Sequence, residues 1–244
     1  MIKSSMTVRE VAIGVPQSTR LFETLKIDYC CGGNRSLTEA CDSAGLEVHD
    51  VITMLENTIT QVEAGTNTTD FQRLRLNDLI KHIVHTHHVF TENELVRLDS
   101  LTKKVISAHG ENHPELRTVG ELLDRLAADL TPHMFKEEQV LFPYMSALAK
   151  ANAENHAAPF APFGTVNNPV RMMMMEHEAV GELLRDLRNV TSNYTAPSDG
   201  CISYRTLYAA FEALEKDLHQ HIHLENNILF PRAVELEARN VRPR

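Results

Sequence analysis

The chain has 244 residues, 43% hydrophobic and 23% charged, with a formal net charge of −9. That length holds one sizeable domain and a small one, with enough apolar residues for a buried core. The acidic balance and the lack of a basic block argue against nucleic-acid binding, and no apolar run approaches the ~18 residues of a membrane span.

Charges within the first ten residues fall where a secretory leader needs its apolar segment. A cytoplasmic, reducing location is therefore expected, and the four cysteines (Cys30, Cys31, Cys41, Cys201) read as thiols. Residues 1–65 read as a small helical domain. Thr7-x-x-Glu10 and Ser36-x-x-Glu39 are capping-box starts. Between them Asp28-Tyr-Cys-Cys-Gly-Gly-Asn34 is a loop by its glycines. Val48, Val51, Ile52, Leu55 and Ile59 then recur at helical spacing. A polar, aperiodic stretch at 64–70 marks the domain boundary, and 70–240 forms the second domain.

Four long helical patterns follow, with no β signal. The first covers about 77–108, with Ile80, Val84, His88 and Leu95 near one face. The second covers about 118–149, striped by Val119, Leu122, Leu126, Leu130, His133, Glu137 and Leu141. The third begins near Pro169, a favoured first-turn residue, with Val170, Met174, His177, Gly181 and Leu184 inward. The fourth covers about 204–238, striped by Phe211, Leu214, Leu218, His221, Glu225 and Ile228. Steps of three and four define a buried helical face. Residues 150–168 form a long connection between two helix pairs, and the whole predicts an all-α, up-and-down four-helix bundle behind a small helical domain.

The bundle carries an internal repeat. His133-Met-Phe-Lys-Glu137-Glu-Gln-Val-Leu-Phe-Pro143 recurs as His221-Ile-His-Leu-Glu225-Asn-Asn-Ile-Leu-Phe-Pro231, with His, Glu and Leu-Phe-Pro in one register. One helical turn separates His from Glu, so both point the same way. The preceding helices add His88 and His177 at matching distances; His87 competes with His88, and the repeat spacing favours His88. A lone His-x-x-x-Glu is ordinarily a surface pair. Two copies in register, both inside apolar stripes, point instead to metal held between helices by His88, His133, Glu137, His177, His221 and Glu225. Thirteen histidines agree with that. Imidazole with carboxylate suits iron or manganese and is compatible with zinc. If both glutamates bridge, two octahedral ions with about twelve positions keep roughly four for a bridging oxide or hydroxide and an open place on each ion, where O2 or NO could bind.

His82, His85, His219 and His223 fall off the stripes and are expected to be solvated, as are Glu138 and Glu178. Asp129 and Glu176 fit either a surface role or one beside the ligands. Adjacent cysteines cannot close a relaxed disulfide. With Gly32 and Gly33 leaving the thiols open, Cys30 and Cys31 read as metal-ligating, redox or NO-reactive, against simple packing; Cys41 and Cys201 read as packing.

These motifs resemble a known family. The bundle is similar to a hemerythrin-like di-iron domain. The whole chain resembles the iron–sulfur cluster repair di-iron proteins, the RIC (repair of iron centres) group of YtfE/ScdA/DnrN type, through Asp-Tyr-Cys-Cys-Gly-Gly at 28–33 and the two His-x-x-x-Glu-x-x-x-Leu-Phe-Pro segments with Glu176-His177-Glu178 between them. The resemblance implies two non-haem iron ions, oxo- or hydroxo-bridged, on the six residues above. It implies repair of clusters damaged by nitric oxide or peroxide, by iron supply, with iron–sulfur proteins as clients and Cys30 and Cys31 acting with the centre. Nitric oxide reduction, or O2 or NO sensing, is the alternative. A homodimer is compatible with the chain, though no patch marks one. Pro132, just before His133, departs from the pattern, and a mid-helix proline is expected to bend its helix.

Overall fold

A computed structural model describes residues 2–30, 32–62 and 70–241, the side chains of 59–62 and 240–241 excepted. Cys31 and nearly all of the 64–70 boundary lie outside the described residues. Every regular element among the described residues is helical, apart from one isolated bridge between Thr7 and Ser36. The chain divides into two compact units: Met1–Arg75 with His219–Arg232, and Leu76–Leu218 with Ala233–Arg244.

The first unit contains α1 (Val8–Gly14), α2 (Ser18–Leu25), α3 (Leu37–Ala44) and α4 (Val48–Val62). Both capping boxes form. Thr7 and Ser36 accept from the backbone N–H of Glu10 and Glu39, whose carboxylates accept from the cap residues in return. This satisfies donors that a helix start otherwise leaves open. The apolar faces close on a core of Val8, Val11, Phe22, Tyr29, Leu37, Cys41, Val51 and Leu55.

The long patterns become four helical rods. The first is α5 (Leu76–His82), a π-helical turn π1 (Ile83–His88) and α6 (Val89–His109). The second is α7 (Glu115–Lys136), π2 (Glu137–Leu141) and α8 (Phe142–Ala153). The third is α9 (Asn167–Val190), and the last is α10 (Ile202–Leu224), π3 (Glu225–Leu229) and α11 (Phe230–Val241). The stripes of the second and fourth rods are buried as expected. In α9 the inward residues are Met173 and Val180, one position before Met174 and Gly181, because steps of three and of four are both helical. In the first rod Ile83 replaces Val84 inside, since the π turn inserts one residue into the register.

The π turns have a local cause in two of three cases. A proline has no N–H, and its ring clashes with the carbonyl four residues earlier. Pro143 and Pro231 follow directly on Phe142 and Phe230, and the N–H groups of these two phenylalanines bond the carbonyls of Glu137 and Glu225, five residues back. The ladder slips by one residue before each proline, and the slip begins at each glutamate. Pro132 does not break its helix: α7 is continuous to Lys136, with Pro132 on its exposed side.

The long connection between α8 and α9 is pinned by Glu237 of α11. Its carboxylate accepts from Tyr144 Oη at 2.6 Å and from the Val166 N–H at 3.0 Å, and Thr165 also donates to it. Burial raises the Glu237 pKa, but these hydrogen bonds outweigh it and hold the carboxyl below its ordinary value. A depressed carboxyl pKa stabilises the fold above the unfolded value and loses that effect as pH falls through the folded one. Glu237→Gln is therefore expected to destabilise the protein by about 1–3 kcal/mol at neutral pH. The gap from wild type should close in urea titrations carried below the ordinary carboxyl range of about 4.5.

Candidate metal centre

Each candidate ligand takes its place from a particular turn of helix. His88 closes π1, His133 lies in the last turn of α7, and Glu137 opens π2. His177 is mid-α9, His221 is in the last turn of α10, and Glu225 opens π3. None is more than 1% exposed. They form two sets, His88, Glu137, His221 and Glu225, and His133, Glu137, His177 and Glu225. Within each set the ligand atoms all lie within 4.8 Å of one another. Glu137 and Glu225 belong to both.

The tautomers are readable from the outer contacts. His88 Nδ1 lies 2.7 Å from Glu138 Oε1, and His133 Nδ1 lies 2.8 Å from Glu176 Oε2. A carboxylate only accepts, so both Nδ1 atoms carry hydrogen and both Nε2 atoms offer a lone pair inward. There His88 Nε2 and His133 Nε2 stand 3.5 and 3.4 Å from Glu137 Oε2. His177 Nε2 is 3.0 Å from His133 Nε2, and His221 Nε2 is 3.0 Å from Glu225 Oε1. Converging imidazole lone pairs with buried carboxylates form a cation cradle: burying two negative charges is costly unless a positive charge faces them. The donor set suits a hard or borderline ion of the iron type, not a thiolate-seeking one.

Residues 79–233 match the hemerythrin HHE cation binding domain, and residues 4–58 match a domain of unknown function, DUF542. The chain is 34% identical over 224 residues to the iron–sulfur cluster repair protein YtfE of Yersinia pseudotuberculosis, covering 92% of this chain and 94% of that one. It is 32% identical over 225 residues to a probable iron–sulfur cluster repair protein of Haemophilus influenzae, covering 92% and 95%. The chain belongs to the hemerythrin-like iron–sulfur cluster repair family. No helix among the described residues is long and apolar enough to cross a membrane.

Within this family frame, several side chains sit differently from the expectation. Glu138 is not a free surface charge but holds His88, and Glu176 holds His133 and also accepts from Lys136 Nζ. Asp129 is exposed, as is Glu178. His87 is buried against Asp217, Nδ1 to Oδ1 at 3.0 Å, and lies outside both sets. His223 is buried instead of solvated. Burial holds its pKa down at about 4.

His223 belongs to a second face of the stretch that bears His221 and Glu225. Its ring meets Tyr29 edge-on at 5.3 Å, and its Nδ1 lies 2.9 Å from Asn227 Nδ2, which donates to the Tyr29 carbonyl at 3.3 Å. His219, half-buried, adds an edge contact to Tyr29 at 6.2 Å and a 2.8 Å bond to Glu23. The residue before Cys30 is thus fixed on the stretch that carries two of the candidate ligands. Cys30 itself is 6% exposed, and its Sγ lies 3.3 Å from Asp28 Oδ1. Gly32 and Gly33 do not leave the Cys30 thiol open. A Cβ on Gly33 would lie 2.8 Å from the Tyr29 carbonyl oxygen, so glycine permits close folding there. Cys41 is a core residue whose thiol is raised by burial. Cys201 is exposed, not packed, and the Tyr204 N–H, followed by His109, brings its thiol to about 7.

Adjacency to a ligand was the available signal for Glu138, but it gave no direction, because regular helix turns a neighbouring residue away. The two sets make a stoichiometric prediction. His177→Ala removes a member of one set and should leave roughly one bound ion, whereas Glu137→Ala removes a member of both and should leave about none. Elemental analysis of the purified variants, with circular dichroism to confirm helicity, checks this.

Proposed function

We propose that this protein repairs damaged iron–sulfur clusters by supplying iron from a pair of non-haem iron ions held on His88, His133, Glu137, His177, His221 and Glu225. The observation that carries the reading is the sharing of Glu137 and Glu225 by both buried sets, in a chain whose relatives bear the name iron–sulfur cluster repair protein. Two shared carboxylates suit a bridged pair of ions. Such a pair carries no thiolate, the ligand type that selects iron–sulfur clusters, so its iron can pass to sites that do.

The chain's own residues do the remaining tasks. Glu138 and Glu176 fix the imidazole tautomers, so that Nε2 is the donor at His88 and His133. The apolar stripes around them exclude water. Cys30 and Cys31 of the small domain, residues 1–65, act with the centre as thiols. The clients are iron–sulfur proteins of the cytoplasm, where thiols stay reduced.

Protein purified without added metal should contain about two irons per chain with charge-transfer absorption in the near ultraviolet. It should restore the cluster of an apo-ferredoxin faster than an equal amount of free ferrous ion. Recovery no better than with free ion removes iron supply as the function. Separately, a variant carrying Cys30→Ala and Cys31→Ala should keep its iron and spectrum but lose most repair. Full repair by that variant removes the thiols from the mechanism.

A further inference from the structure

The two ligand sets share both glutamates, so any difference between them lies in the histidines and what stands behind them. Behind His88 stands Glu138. Its Oε1 takes the Nδ1 hydrogen at 2.7 Å, and among the described residues no lysine or arginine pairs with it. Behind His133 stands Glu176, whose second oxygen, Oε1, is taken up by Lys136 Nζ at 2.5 Å. A carboxylate that accepts the Nδ1 hydrogen pushes electron density toward Nε2 and strengthens the imidazole as a ligand. A lysine on the same carboxylate draws part of that density away. The internal repeat does not copy either device: Asn226 stands where Glu138 does, and Leu224 where Lys136 does.

The π2 turn makes the Glu138 contact available. Glu137 Oε2 faces His88 Nε2 at 3.5 Å while the next residue reaches Nδ1 of the same ring. Adjacent carboxylates therefore address both nitrogens of one imidazole.

We infer that the two metal positions are unequal: Glu138 makes the ion on His88 the tightly held one, and the Lys136–Glu176 pair makes the ion on His133 and His177 the exchangeable one. Resting on the iron-supply reading, this identifies the ion at His133 and His177 as the one handed over. The inequality itself does not depend on that reading. Glu138 is a positioning residue here, as it acts only through His88.

The test is titration of the full-length metal-free protein with cobalt(II) alone, followed by visible d–d absorption and calorimetry. Wild type should bind in two resolved steps. Glu138→Gln should weaken the tighter step by roughly ten- to a hundredfold and leave the weaker one in place. Lys136→Met, at a half-exposed side chain, should tighten the weaker step only. Cobalt binding in one step, an unmoved tighter step in E138Q, or an unmoved weaker step in K136M each overturns the inference. Should E138Q fail to fold by circular dichroism, K136M decides alone. Loss of iron transfer with the two cobalt steps intact would count against the repair reading and not against the inequality.

Discussion

Two glutamates at zero exposure set the terms for the rest of this molecule. A carboxylate removed from water is tolerable only when positive charge or hydrogen bonds surround it. Four of the thirteen histidines, on four different helical rods, converge with the two glutamates on the space where a compensating cation would sit. The apolar stripes, the π turns and the carboxylates behind His88 and His133 are all arranged around these glutamates. The same stripes that exclude water also raise the energetic stakes of holding charge, so the metal cradle and the hydrophobic core are one construction.

The stretch His219–Arg232 has a double allegiance. His221 and Glu225 point to the ligand sets, while His219, His223 and Asn227 hold Tyr29 and with it the loop of Cys30. Residues spaced by two positions on a helix lie on opposite flanks, so the flank that holds Tyr29 is distinct from the one that bears His221 and Glu225. Together with the N-terminal helices this stretch makes up one compact unit.

Much of this is legible in the sequence alone. The capping boxes at Thr7 and Ser36, the stripes of the second and fourth rods, and the in-register His and Glu pairs follow from spacing and period alone. What escaped were features with no linear signature. The burial of His223 depends on Tyr29, nearly two hundred residues away. Glu138 was unreadable because in regular helix it should turn away from Glu137's partners. The one-residue shift in the first rod, from Val84 to Ile83, is the work of π1, which has no proline to announce it. The burial of Cys30 has no such signature either: glycine near cysteine suggests access, whereas Gly33 lets the backbone fold tightly against the Tyr29 carbonyl.

The Leu-Phe-Pro tail of each repeat lies off the ligand sets, yet it decides where their carboxylates face. Because the π turn uses one more residue than an α turn, the interval from glutamate to proline is a length as meaningful as the interval from histidine to glutamate. A related chain could keep both residues of His-x-x-x-Glu, gain or lose one residue before its proline, and have its carboxylate rotated out of the centre. The useful measure of kinship among such chains is therefore a distance counted along the backbone, with the proline as its fixed end.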